Sequence, residues 1–123
     1  MSDQDSVALM HRVYAAVLGG DFDTFGTLVH PDMELHQGSG MPFAGTYRGV
    51  EGFMRFFTIF GETFEIEKLA PLRDYRSDDP EWVVCELEIA ATVKATGKRF
   101  EGTIMEQWQF RDGKALTIKP HYF

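Results

Sequence analysis

One acidic residue stands among large apolar residues on a predicted strand near the end of the sequence. Over residues 99–110 alternate side chains share a face, so Glu106 is in phase with Ile104 and Trp108. Phe110 continues the same face. A carboxylate in apolar surroundings is unfavourable unless it is paired or protonated, which makes Glu106 a candidate general acid–base group. The alternative is a Glu that a bulge displaces into solvent, or one that is paired with a Tyr or an Arg.

Two further candidates lie on the predicted first helix. Residues spaced by three and four along it are expected to share the inward face: Val7, Met10, His11, Tyr14, Val17 and Leu18. On that face Tyr14 can place a substrate by hydrogen bonding, and His11 can act as a general base or contact a ligand. A lone His on an apolar face is also typical of a hydrogen-bonded core residue, and this alternative stays open.

The remaining candidate contacts come from the sheet and the third helix. Gln37 alternates with Leu35 on the inward side of the predicted first strand, where its amide can orient a carbonyl or hydroxyl of a ligand. Phe57, Trp108 and Tyr122 are predicted to form walls of the same pocket. Packing alone is the alternative role of the Trp and the Tyr, although both can stack on a planar ligand.

No metal and no cofactor is predicted. The pattern Asp32-x-Glu34-x-His36 offers metal ligands on one strand face, but a solvated face is the favoured interpretation. The run Gly38-Ser39-Gly40 lacks the outer glycines that a nucleophile elbow or a dinucleotide-binding loop needs. Cys85 is interpreted as a small buried apolar residue, because no neighbouring base would make it a nucleophile.

Three helices are predicted before the main run of strands. The first covers about 6–18, with Asp3, Asp5 or Ser6 as its cap and Gly19-Gly20 as its stop. A short second helix begins at the cap Asp21, carries apolar residues through Val29 and ends at Pro31. A strand over 33–37 follows, and a third helix over about 50–60 presents an apolar stripe: Val50, Phe53, Phe57 and Phe60.

From Phe64 onward the hydrophobic period changes from helical to two. Four strands are predicted, at about 64–75, 82–94, 99–110 and 114–122, and Thr96-Gly97 and Asp112-Gly113 are strong hairpin signals. The sequence therefore predicts an α+β fold, in which three N-terminal helices pack into a strongly curved, mostly antiparallel sheet. Such a sheet forms a cone with an internal pocket. At 123 residues the chain is expected to be a single domain over 1–123.

Composition excludes several classes of function. The net charge is −7, and the clustered Lys and Arg that nucleic acid or an anionic membrane would require are absent from the sequence. Residues 1–20 do not have the pattern of a signal peptide, and no stretch reaches the length of about 20 apolar residues that spans a membrane. With a single Cys, no intrachain disulfide can form. A cytoplasmic protein is expected.

Several segments resemble one known family in order and spacing. They are the runs Tyr14 to Asp23, His30-Pro31-Asp32, Gly45 to Gly49, Phe110 to Lys114 and Lys119 to Phe123. They are similar to the nuclear transport factor 2-like superfamily, and within it to the SnoaL-like polyketide cyclase and ketosteroid isomerase branch. The resemblance covers nearly the whole chain and implies a cone-shaped sheet around a deep apolar pocket. It also implies a dimer formed through the outer face of the sheet.

The resemblance also implies roles for individual residues. In ketosteroid isomerases a carboxylic acid at the place of Glu106 stays protonated and helps a Tyr of the first helix to hold the substrate oxyanion. Tyr14 lies on that helix, one position after the place that corresponds to the Tyr of those enzymes. The same enzymes place an Asp base where this chain has Gln37, and an amide cannot take a proton from carbon. Steroid isomerisation by that mechanism is therefore not expected.

Two functions are consistent with these features. The first is a cofactor-independent enzyme of the SnoaL-like type (isomerase, cyclase or lyase) that acts on a small apolar carbonyl or hydroxyl compound by general acid–base chemistry. The second is a binding module with the same pocket and no turnover, which would serve as a carrier or sensor. A homodimer is expected through the outer sheet face, which is neither apolar nor fully charged: Val84, Glu86, Thr92, Thr103, Met105, Gln107 and Gln109.

Overall fold

The computed structural model describes residues 5–38, 40 and 42–122, so Asp3, Ser39 and Phe123, named above, lie outside the described residues. Helices precede most strands, as predicted. The elements are α1 Ser6–Leu18, α2 Phe22–Thr27, β1 Val29–Gln37, β2 Gly45–Arg48, α3 Gly49–Thr63, β3 Phe64–Arg76, β4 Trp82–Val93, β5 Lys98–Arg111 and β6 Lys114–Tyr122. The predicted α+β class, with three helices and a mostly antiparallel sheet, is confirmed. None of the helices in the described ranges is long and apolar enough to cross a membrane.

All six strands belong to one open sheet with the order β2-β1-β6-β5-β4-β3. Every neighbouring pair is antiparallel except β1 and β6, which run parallel. The register shifts in β3, between Ile66 and Lys68 and again between Pro71 and Arg73, and such bulges bend a strand and increase its twist. The bent sheet packs α3 against β1, β2 and β3 and α1 against β4 and β5, which encloses the apolar core.

The start of β1 differs from the prediction. Val29 and Pro31 lie in β1 and not in α2, which ends at Thr27. Val29 pairs with Ala115 of β6, and the register then shifts before pairing resumes at Glu34. Pro31 lies within this irregular stretch, where its missing N–H interrupts no regular ladder. A tertiary pairing therefore overrides the helical pattern of the sequence.

The inward face of α1 is also rotated from the predicted one. Met10 and Tyr14 are buried as predicted, but His11 is exposed and Leu18 is 43% exposed. The buried residues of this helix are Ser6, Leu9, Met10, Val13, Tyr14 and Ala16. In α3 the stripe is similarly shifted, because Phe56 is buried while Val50 and Phe57 are only half-buried.

Candidate functional site

A cavity lies between α1, α3 and the concave face of the sheet. Its volume is about 60 Å³, counted as the space open to the centre of a water molecule. Since one water needs roughly 10–15 Å³ of such space, about four to six waters or one substituted ring would fill it. Leu18 lines the cavity although it is largely exposed, so the cavity opens to solvent beside the end of α1. The α3 wall is aromatic, formed by Phe53, Phe56, Phe57 and Phe60.

Strand pairing aligns the residues around Glu106 in one row across the sheet. Asp74 of β3 pairs with Cys85 of β4, which pairs with Glu106 of β5, and Glu106 pairs with Pro120 of β6. Leu35 of β1 pairs with Ile118, so two residues further along the parallel ladder Gln37 lies beside Pro120. Neighbouring strands are about 4.8 Å apart, which separates the backbones of Gln37 and Glu106 by roughly 10 Å.

Glu106 is held by a short chain of hydrogen bonds. The Trp108 indole Nε1 donates to the Tyr14 hydroxyl at 2.8 Å, and that hydroxyl donates to Glu106 Oε1 at 2.5 Å. Glu106 and Trp108 lie two residues apart on β5 and so share the inward face, whereas Tyr14 reaches them from α1. The Trp108 ring stacks on Phe110 at 5.8 Å, which supports its orientation.

The start of α1 is anchored so that Tyr14 meets Glu106. Asp5 caps the helix by accepting from the Val7 amide, and it also forms a bidentate ion pair with Arg76 at the end of β3. Ser6 Oγ donates to the carbonyl of Pro80 at 2.6 Å in the turn before β4. These contacts hold the start of α1 against the end of β3 and the start of β4.

Burial changes the acid–base properties of Glu106 and Tyr14. It raises the pKa of Glu106 from 4.5 to about 7, and the hydrogen bond from Tyr14, with the Trp108 indole close by, only partly opposes this rise. Glu106 is half-buried as a residue because it faces the cavity. Burial, and then the neighbouring Glu106 charge, raise the pKa of Tyr14 well above its usual value. Near neutral pH Glu106 is therefore present in both forms, while Tyr14 stays neutral.

Gln37 lies at the other end of the cavity floor. It is 6% exposed, and its Oε1 accepts a hydrogen bond from the Tyr122 hydroxyl at 3.1 Å. Its Nε2 is buried and finds no hydrogen-bond partner among the residues that the structure describes. Burial, and then the Glu106 charge, raise the pKa of Tyr122 above its usual value, so this phenol also stays neutral. Gln37 lines the cavity, and its side chain carries a buried donor without a partner among the described residues.

His11 does not join this group, and its predicted inward position is wrong. Its side chain is 55% exposed, and Nε2 lies 2.6 Å from Oδ2 of Asp74, at the outer end of the row. A one-residue step rotates a helical side chain by about 100°, so His11 turns away from the cavity when Met10 and Tyr14 turn inward. Cys85 is fully buried, and burial raises its pKa to about 12, so it remains a thiol.

The other predicted wall residues, Phe57, Trp108 and Tyr122, all line the cavity. Phe56 and Pro120 also line the cavity and were not predicted to, although Phe56 follows Phe53 at a spacing of three and precedes Phe60 at four. No pattern in the sequence marks Pro120 as a cavity residue, because its position beside Glu106 follows only from the pairing of β5 with β6.

The face considered for a metal carries ion pairs. Glu34 pairs with Arg48 and with His36, and the His36 ring also contacts the Thr46 hydroxyl. Among residues 5–38, 40 and 42–122, no cluster of three or more His, Cys, Asp or Glu side chains could hold a metal ion.

Known proteins share this fold. The sequence model of a family described as "SnoaL-like domain" matches residues 10–118. No curated protein matches the chain. A nuclear transport factor 2-like protein from Burkholderia thailandensis superposes with a TM-score of 0.85 at 23% identity, covering 97% of this chain and 91% of that one.

Two similar structures contain small molecules. TerC, co-crystallised with polyporic acid, has a TM-score of 0.81 at 21% identity and covers 96% of this chain and 91% of its own. A protein with a ketosteroid isomerase-like fold from Catenulispora acidiphila, in complex with trimethylamine, has a TM-score of 0.73 at 16% identity. That match covers 93% of this chain and 84% of the other. At these identities the likeness extends to the fold alone.

Proposed function

The chain belongs to the SnoaL-like domain family, and on that premise we propose that it is a cofactor-independent enzyme that moves a proton within a small, largely apolar carbonyl or hydroxyl compound. The observation that carries the proposal is the hydrogen bond from Tyr14 to Glu106 inside an apolar cavity. A carboxyl group in contact with a ligand-sized space, and not with bulk water, is suited to exchange a proton with that ligand.

Glu106 is the acid–base group. With a pKa of about 7 it is both a competent base and a competent acid at neutral pH. Its Oε1 accepts the hydrogen bond from Tyr14, so Oε2 is the oxygen that exchanges a proton with the ligand. As a carboxylate it takes a proton from a carbon next to a carbonyl, and it then returns that proton to the same or another atom. Charge moves onto the substrate oxygen during this step, and no cofactor is required.

Tyr14 and Gln37 place the substrate. Tyr14 fixes the carboxyl orientation, and its own orientation is fixed by the Trp108 indole. Gln37 offers the unpaired Nε2 donor to a substrate oxygen, where it would stabilise negative charge that develops in the reaction. The aromatic residues of α3, Phe57 among them, and Trp108 and Tyr122 exclude water from the reacting atoms.

Hydrogen exchange tests this function without knowledge of the natural substrate. Small ketones are incubated with the protein in D₂O, and deuterium entering the position next to the carbonyl is followed by NMR. We expect catalysed exchange by the unmodified protein and none by Glu106→Gln, which keeps the shape and removes the base. Glu101→Gln is the matched control, because Glu101 lies on the same strand and its side chain is 66% exposed.

A binding module without turnover is the second candidate. It is favoured by Gln37, an amide at the position where the enzymes that the chain resembles carry their base. If ketones stabilise the protein and exchange stays at the background rate in both the unmodified protein and Glu106→Gln, the enzyme proposal is wrong and the binding module is supported.

A further inference from the structure

The cavity floor carries hydrogen-bonding groups at two separated ends. Gln37 stands at one end, Glu106 with Tyr14 stands at the other, and Pro120 lies between them in the same row. The Pro120 side chain is an apolar ring, and its backbone has no N–H. A ligand lying on this floor therefore meets a polar group at each end and an apolar surface in the middle.

The Gln37 end is specific for a hydrogen-bond acceptor. Tyr122 donates to Oε1 at 3.1 Å, which leaves Nε2 as the group without a partner among the described residues. Burying an amide donor without a partner costs free energy that a hydrogen bond from a ligand oxygen would recover. Gln37 is only 6% exposed, and its Nε2 still lacks a partner among the described residues, so this residue supplies one half of a binding site.

The Glu106 end of the cavity can bind a second oxygen atom of the ligand. Below its pKa of about 7 the carboxyl is protonated and can donate to a carbonyl, and above it the carboxylate can accept from a hydroxyl. The space in the cavity is limited to about one ring, and Phe56 and Phe57 of α3 form part of its apolar lining. Size, apolar walls and two polar ends together define the shape of the ligand.

We propose that the natural ligand is a compact ring compound with oxygen atoms at opposite ends, such as a cyclic diketone or hydroxyketone. One oxygen accepts from Gln37 Nε2, and the other contacts the Glu106 carboxyl. This inference rests on the proposed function in using the same cavity, but it concerns recognition and not proton transfer.

Two probes of matched shape test it: cyclohexane-1,4-dione and 4-methylcyclohexanone, in which a methyl group replaces one oxygen. Binding is measured by calorimetry at about pH 6, where Glu106 is mostly protonated and can donate to a carbonyl. We expect the dione to bind about tenfold more tightly, the usual effect of satisfying one buried donor.

Substitutions locate the preference at Gln37. Gln37→Met removes the donor at similar volume, so the preference for the dione should vanish while binding of 4-methylcyclohexanone is retained. Tyr122→Phe removes the hydroxyl that holds the amide and should reduce the preference in the same direction. This second variant decides the matter if Gln37→Met does not fold.

Three results would overturn the inference: equal affinity of the two probes, no binding of the dione at millimolar concentration, or an unchanged preference in both variants. The outcome is separable from that of the proposed function. Glu106→Gln should abolish hydrogen exchange but keep the preference that depends on Gln37. A preference for the dione without catalysed hydrogen exchange would support two-ended recognition and refute the catalytic proposal. Catalysed exchange without a preference for the dione would support the catalytic proposal and refute two-ended recognition.

Discussion

Replacing Glu106 by Gln tests whether the cavity holds a carboxyl group away from water. The folded protein raises the pKa of this carboxyl from 4.5 to about 7, mainly by burial. Below the lower value both the folded and the unfolded chain carry the protonated form, so burial has no ionisation cost. As the pH rises between the two values the unfolded chain releases its proton and the folded chain keeps it, so stability falls. Above the folded pKa the loss is complete.

The size of this loss follows from the two pKa values. One pKa unit corresponds to about 1.4 kcal/mol, so a rise from 4.5 to about 7 costs about 3 kcal/mol at alkaline pH. For a domain of this size that amounts to roughly 10 °C in Tm. The groups that face Glu106 are Tyr14, Tyr122 and Cys85, whose pKa values are all raised above their usual values. None of them titrates in the same window.

The assay is a series of melting curves for the unmodified protein, Glu106→Gln and the exposed control Glu101→Gln. We expect Glu106→Gln to match the unmodified protein at about pH 4 and to exceed it by roughly 10 °C above about pH 8. The control should follow the unmodified protein throughout. A difference in Tm that does not change with pH, together with an ordinary Glu106 pKa in an NMR carboxyl titration, would place this side chain in solvent and refute the reasoning.

Three further outcomes are expected. Light scattering at micromolar concentration should give twice the mass of the 14.0 kDa chain, because the mixed outer face of the sheet suits a dimer interface, and the monomer mass would contradict this. A β,γ-unsaturated ketosteroid should not be isomerised, since Gln37 stands where a base is required; ordinary turnover would show that this assignment is wrong. Gly52→Ala should lower Tm, because a Cβ would lie 2.9 Å from the Tyr47 backbone, whereas Gly61→Ala meets nothing within 4 Å and should raise stability by about 0.5–1 kcal/mol. Equal changes in Tm for the two glycine variants would refute the contact argument.

The late strands were predictable because each depends on local signals. A period of two sets which side chains share a face, and this pattern put Ile104, Trp108 and Phe110 on one face, where all three are buried. The hairpins were marked by residues that tolerate a positive φ: Gly97 at 73°, and Asp112 and Gly113 at 54° and 75°. Neither feature requires knowledge of distant parts of the chain.

Elements that depend on a distant partner were mispredicted or missed. β2 is only four residues long and exists because it pairs with β1, and Pro31 lies in β1 because the ladder with β6 shifts there. The inward face of α1 was misplaced at His11, because the rotation of a helix about its axis is set by the surface against which it packs. A periodic pattern narrows that rotation without specifying it.

The sequence by itself determined that Glu106 shares a strand face with Trp108, because alternation along a strand is a property of the extended backbone. It also placed Gln37 on the inward side of the first strand. Only the tertiary structure decided that Tyr14 reaches Glu106, that His11 turns to Asp74, and that Gln37 and Glu106 stand in one row on either side of Pro120. These relations depend on the register between strands and on the crossing of α1 over the sheet. Both are set by side-chain packing between segments far apart in the chain, which local periodicity does not encode.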